Sequence, residues 1–207
     1  MGNRAVITTK GNWENDGVGV YLHWNGGITS VECFLEYCKL KGYRPPETDC
    51  YGWARLCQVI GNFFGGSTSI GIDTIWHLDR DNGDNGTYII ENWEIVDRIY
   101  ECGYRDDYDT TEFLIAIDKA MPEREQLGED FIRAEVVARE DIKLGDVIFD
   151  TTFDGQVFKA NVVGFEKKLV STNPVTDAMC PVIDRYGKGN GNNILRKPFY
   201  RVSSHKE

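Results

Sequence analysis

The chain has 207 residues, 41% of them hydrophobic and 12% aromatic, and holds no apolar run near the ~20 residues that a bilayer-crossing helix needs. Its 23 Lys and Arg against 33 Asp and Glu give a net charge of -10, which excludes a protein whose main business is gripping phosphates, because such proteins carry a basic face. All of that excess sits in one stretch: residues 1–72 carry six acids and six bases, residues 73–118 thirteen acids and three bases, and the remainder fourteen of each.

Residues 4–8 are β-prone, and 17–24 alternate, with Val18, Val20, Leu22 and Trp24 on one face and Gly19, Tyr21 and His23 on the other. The turn-like segment 11–16 joins them as a hairpin. Thr29 and Glu32 form a capping box for a helix to about Leu40, striped by Val31, Phe34, Leu35 and Cys38. Pro45 and Pro46 stop it, and Thr48 or Asp49 caps a second helix that ends at Gly65-Gly66.

Residues 69–72, 86–90 and 93–100 are predicted strands, with a turn-rich segment at 79–85. Asp109 and Glu112 start another capped helix, whose Phe113, Leu114, Ile117 and Met121 face a core. Pro122 and the charged residues after it form a linker or a helical extension. From Phe131 onward the chain turns to short β-prone runs such as FIRAEVVA, DVIFDTTF and QVFKANVVGF. The fold class expected is α+β. Residues 1–128 form an acidic mixed α/β domain with an antiparallel sheet and three helices, and 129–207 a small all-β barrel or sandwich.

Six cysteines (Cys33, Cys38, Cys50, Cys57, Cys102, Cys180) make no CxxC pair, and the start of the chain lacks a secretory pattern. The setting expected is therefore reduced and cytoplasmic, with most thiols packed as small core side chains.

The acidic stretch is the strongest departure from average composition. Same-face residues of a strand lie about 6.6–6.8 Å apart, close to twice the ~3.4 Å rise between phosphates on one DNA strand. A folded acidic surface of this kind imitates a phosphate track and docks on a basic nucleic-acid channel. The residues named for that role are Asp79, Asp81, Asp84, Glu94, Asp97, Glu101, Asp106, Asp107 and Asp109. The competing reading is an ordinary solvated face.

Asp79-Arg80-Asp81-Asn82-Gly83-Asp84 has the look of a calcium loop, but Gly83 and Asp84 occupy the places where an EF-hand wants an oxygen ligand and then glycine. A polar turn is preferred, and no metal or cofactor is assigned. No Walker A, GxGxxG, HExxH or GxSxG motif is present. Lys167, Lys168, Arg196, Lys197 and Arg201 make a modest basic patch, the one place where direct nucleic-acid contact is entertained.

Asp49-Cys50-Tyr51-Gly52 opens the second predicted helix, where the positive helix end favours a thiolate. It resembles the Asp-Cys-Ser-Gly signature of the NlpC-type cysteine peptidases, with Tyr51 at the small residue's place. That resemblance implies Cys50 as nucleophile and His77, with His23 as alternative, as base. The competing reading is a packed or capping cysteine.

Met1-Gly2-Asn3-Arg4-Ala5, with Val20-Tyr21-Leu22-His23-Trp24-Asn25-Gly26 after the hairpin turn, resembles phage and mobile-element proteins that begin Met-Gly-Thr-Arg-Ser and carry an aromatic-Asp-Gly-Tyr-Pro segment. The resemblance covers about forty residues and implies an origin in bacterial mobile elements, with no activity attached. Three functions follow, in order of preference. The first is inhibition by binding of a host defence nuclease, as anti-CRISPR and anti-restriction proteins do. The second is a Cys50-dependent hydrolase. The third is a binding module for a small ligand near His23, Trp24 and Gly26-Gly27. No membrane partner is expected.

Overall fold

A computed structural model of the chain describes residues 2–67, 69–100, 107–151, 157–172, 175–183 and 199–202. The chain divides into two compact units, Met1–Gln126 and Leu127–Glu207. It is α+β, with a five-stranded sheet in each unit and helices concentrated in the first. Among the described residues no helix is long and apolar enough to cross a membrane.

The first unit is built around β1 (Ala5–Thr9), whose five residues are all buried. Burial on both faces marks a central strand, and β1 pairs antiparallel with β2 (Val18–Leu22) on one side. Between them lies α1 (Lys10–Glu14), a short helix where a plain turn is predicted. Thr9 caps it by accepting from the Asn12 N–H, so a β-branched strand residue ends one element and starts the next.

The helical layer follows: α2 (Ile28–Leu40), α3 (Cys50–Phe63) and, after the strands, α4 (Thr110–Ala120). Asp49 and Asp109 cap α3 and α4 with their carboxylates, as the sequence predicts. The Thr29–Glu32 capping box does not form. Gly27 occupies the cap position and Thr29 is buried. The cause lies upstream, where the Gly26 N–H donates to the Asn3 carbonyl and the Gly26 carbonyl accepts from the Tyr88 hydroxyl. The chain is thereby locked and the helix begins earlier than its sequence signal.

Phe34, Phe63 and Phe113, one from each helix, meet with ring centroids 5.1–5.8 Å apart and form the aromatic centre of the layer. The buried Asp118 accepts from the Tyr37 hydroxyl at 2.7 Å. Burial, then that hydrogen bond, pushes the tyrosine far above its ordinary range.

The remaining strands are β3 (Ile70–Thr74), β4 (Thr87–Glu91) and β5 (Glu94–Ile99), in the order β3-β2-β1-β4-β5. The sheet is mixed rather than antiparallel, because β4 runs parallel to β1, with Val6 opposite Thr87. The reason is topological. β3 and β4 point the same way on opposite sides of the β2–β1 pair, so the chain must cross the sheet between them. The crossover, residues 75–86, lays Ile75 and Leu78 against the bare Cα of Gly19 on β2.

In the second unit a short helix α5 (Glu129–Ile132) precedes β6 (Glu135–Val137), β7 (Val147–Thr151), β8 (Val157–Thr172), β9 (Val175–Ile183) and β10 (Phe199–Arg201). These pair antiparallel in the order β6-β10-β7-β8-β9 over a small core of Val137, Ile142, Ile148 and Val162. Among the described residues nothing pairs β6 with β9, so no closed barrel is formed by them.

Candidate functional site

The crossover 75–86 carries most of the chemistry that the sequence singles out. At its centre is Asn82, 3% exposed, whose amide nitrogen donates to the carbonyls of Asp79 and Gly86 while its oxygen accepts from the N–H groups of Asp84, Asn85 and Gly86. A side-chain amide thus sits where a calcium loop would hold its ion. Asp84 accepts from the Arg4 guanidinium at 2.7 Å and from the Arg4 N–H at 3.0 Å, and Asp79 lies 3.7 Å from the same guanidinium. The Arg4 hydrogen bond holds the Asp84 carboxyl below the usual carboxylate range. No group of three metal-binding side chains occurs among the described residues.

The nine carboxylates named for partner binding therefore divide. Asp79 and Asp84 anchor the first strand. Glu94 pairs with Lys39 on α2 at 2.7 Å, and Asp109 caps α4. Asp81, Asp97 and Asp107 are exposed and make no ion pair among the described residues, and Glu91, outside that set of nine, is alike in both respects. Glu101 and Asp106 lie outside the described residues.

Cys50 is exposed at the first position of α3, beneath the Asp49 cap, which is itself paired with Arg44 at 2.6 Å. The structure does not bring His77 to it. His77 follows β3 at one edge of the sheet and faces Asp73 at 3.3 Å. The segment before Cys50 is tied to the β4–β5 turn, through the Trp93 indole N–H on the Tyr43 carbonyl at 2.8 Å and Glu47 on the Asn92 N–H at 2.6 Å. Three strand spacings, about 14 Å, separate those positions. Burial lifts the Cys33 thiol to about 12 and the Cys57 thiol to about 11, so these are packing residues.

His23 stands exposed with its ring 4.9 Å from that of Trp24. The neighbouring Gly26 is packed closely, since a Cβ there would lie 2.6–2.7 Å from the Arg4 and Ala5 backbone. In the second unit an open cavity of about 380 Å³ lies among Phe131, Phe149, Phe158 and the Lys159–Asp130 ion pair. Arg201 is paired with Glu135 and Asp146, Lys167 and Lys168 fall in β8, and Arg196 and Lys197 lie outside the described residues.

Comparison of this chain with protein-family models, with curated proteins and with solved structures gave no match.

One feature escapes sequence reasoning. The Arg80 guanidinium sits 4.1 Å from the Trp76 ring centroid and 5.6 Å from that of Trp13, and Trp13 in turn lies 6.4 Å from Tyr100. Trp76 is 59% exposed. The three aromatics come from α1, the crossover and the residue after β5, so only the fold gathers them. Trp13 lies in a turn-like segment and Trp76 between a predicted strand and a turn, and nothing in the sequence joins them.

Proposed function

We propose that the protein acts by binding: a face of its first unit docks on the basic nucleic-acid channel of a bacterial host's defence nuclease, in the manner of an anti-CRISPR or anti-restriction protein carried by a mobile element. The observation that carries this reading is the set Asp81, Glu91, Asp97 and Asp107, exposed and without ion pairs among the described residues. A carboxylate beside its own cation has its field cancelled locally, whereas these four have no ion-pair partner among the described residues and can steer a cationic surface. On the crossover that carries Asp81, Arg80 and Trp76 supply the residue types that dominate binding energy at protein interfaces.

The separation of Cys50 from His77 supports binding over hydrolysis. In this reading the acidic face gives the approach rate, and the aromatic cluster supplies the apolar contact that outlasts it. The small β unit acts as a barrel- or sandwich-like accessory domain.

The test is a pull-down from bacterial lysate at low and high salt, with a nuclease-inhibition assay on the protein recovered. Reversing Asp81, Glu91, Asp97 and Asp107 to lysine is expected to slow association by about tenfold or more and to abolish its salt sensitivity. Binding and inhibition that survive the four reversals unchanged overturn the reading.

A further inference from the structure

The outer edge of β3 has no partner strand among the described residues, and its backbone pattern identifies which groups are left over. The Ile75 N–H donates to the Gly17 carbonyl and the His23 N–H to the Ser69 carbonyl, which fixes the hydrogen-bonded pairs along β2–β3. By alternation, Ile70, Ile72 and Thr74 direct their N–H and C=O groups away from β2. Thr74 is already provided for, its N–H donating to the Asp73 carboxylate and its carbonyl accepting from the His77 N–H. Two donors and two acceptors remain, on Ile70 and Ile72.

The side chains agree with the backbone. Ile70 and Ile72 share a face with Val18, Val20 and Leu22, as the Val20–Ile72 and Leu22–Ile70 pairings require. On that face Val20 and Leu22 are buried, whereas Ile72 at the edge is 60% and Val18 38% exposed. Open edge strands of natural proteins are usually blunted by charge, proline or a bulge. β3 carries none of these between Ile70 and Ile72, and its one charge, Asp73, follows them.

We propose that a second copy of the chain adds its own β3 here, antiparallel, about a twofold axis at Gly71. In this register Ile70 of each copy faces Ile72 of the other. All four outward groups of each strand are then paired, and the isoleucines meet on the apolar face. Gly71 faces Gly71, so the closest Cα approach, about 4.5 Å, meets no side chain. Asp73 faces Ser69, so no like charges oppose across the seam. The strand is its own complement, which favours a second copy over an unrelated segment. The opposite edge cannot serve, because β5 is bulged and carries Glu94, Asp97 and Arg98.

The interface is small, so a dissociation constant on the order of 10 µM is expected. Two chains of net charge -10 repel, so salt tightens the dimer. Sedimentation velocity on the full chain from about 1 to 200 µM reads the equilibrium. The expected result is a dimer that strengthens with salt, and a monomer at every concentration for Ile72→Lys with an unchanged circular dichroism spectrum.

Register is read by cysteine cross-linking under oxidised glutathione. A Cβ at position 71 meets nothing closer than the Tyr21 Cβ at 3.7 Å, so Gly71→Cys is tolerated. It is expected to give a disulfide joining the two copies at position 71, mapped by mass spectrometry, whereas Asp73→Cys is not. A wild-type monomer throughout overturns the proposal, including one that captures a strand from another protein. So does a dimer that persists in Ile72→Lys, or cross-linking equal at positions 71 and 73.

Discussion

The two edges of the five-stranded sheet were formed by the same fold under opposite rules. At β5 the strand is bulged at Val96, opposite Ile89 and Ile90 of β4, carries Glu94, Asp97 and Arg98, and is held to the helical layer by the Lys39–Glu94 pair. Its hairpin turn, Asn92-Trp93, has both residues at positive φ, 51° and 64°. That is the conformation of the two-residue turns whose twist suits a hairpin, and it is uncommon for tryptophan. Burial of the indole and its hydrogen bond to the Tyr43 carbonyl keep Trp93 there. At β3 there is no bulge and, among the described residues, no ion pair to a helix, and an Ile-Gly-Ile run lies at the open edge. The contrast teaches that one edge is closed by a bulge and charge, while at the other the Ile70–Ile72 run is left open to strand addition.

Removing the β5 anchor breaks the comparison most forcefully. Trp93→Ala takes out a side chain that is 4% exposed and leaves the turn without its hold, and is expected to lower stability by about 3–5 kcal/mol in urea denaturation. Hydrogen exchange should then show β5 opening ahead of β3. A loss under 1 kcal/mol would mean that the turn, and not the indole, fixes this edge.

A smaller effect is expected from acid, through the crossover that serves both edges. Asp84 is held below its ordinary range by the Arg4 hydrogen bond. A depressed carboxyl stabilises the fold above the unfolded value of about 3.9 and loses that contribution as pH falls through the folded value. The urea midpoint should therefore drop between pH 5 and pH 2, and Asp84→Asn should reduce that drop while lowering the midpoint at pH 7. An identical acid profile in the variant would remove Arg4–Asp84 from the account.

The smallest change is expected at the open edge. Ile72→Lys should alter the stability of the isolated chain by no more than about 0.5 kcal/mol, because the side chain is 60% exposed. A loss well beyond that would show that β3 is closed by its own unit and that the two edges do not differ.

What could be read from the sequence was local. The alternation of Val18, Val20 and Leu22 and the Asp49 and Asp109 caps are determined by neighbours within a few residues, and each stands where the pattern puts it, whereas Trp24 falls past the strand's end. Thr29 failed as a cap because Tyr88, nearly sixty residues away, helps to pin the preceding glycine. The parallel β1–β4 pairing had no local signal, since a strand buried on both faces reads alike in either direction. The same holds for the candidate surface. Acidity was visible as composition, but which carboxylates stay available depends on Arg4 and Lys39, which only folding brings to them. Arg80 between two tryptophans was invisible for that reason.

The parallel pair also bears on synthesis. Val6 waits for Thr87, so the central strand has a partner on one side only until some eighty further residues have been made. A chain emerging from the ribosome thus holds its first hairpin and helices with the sheet half built, and the crossover closes it late. Truncations ending before β4 should therefore yield aggregation-prone fragments rather than smaller domains, which makes residues 1–126 the shortest piece of the first unit worth expressing.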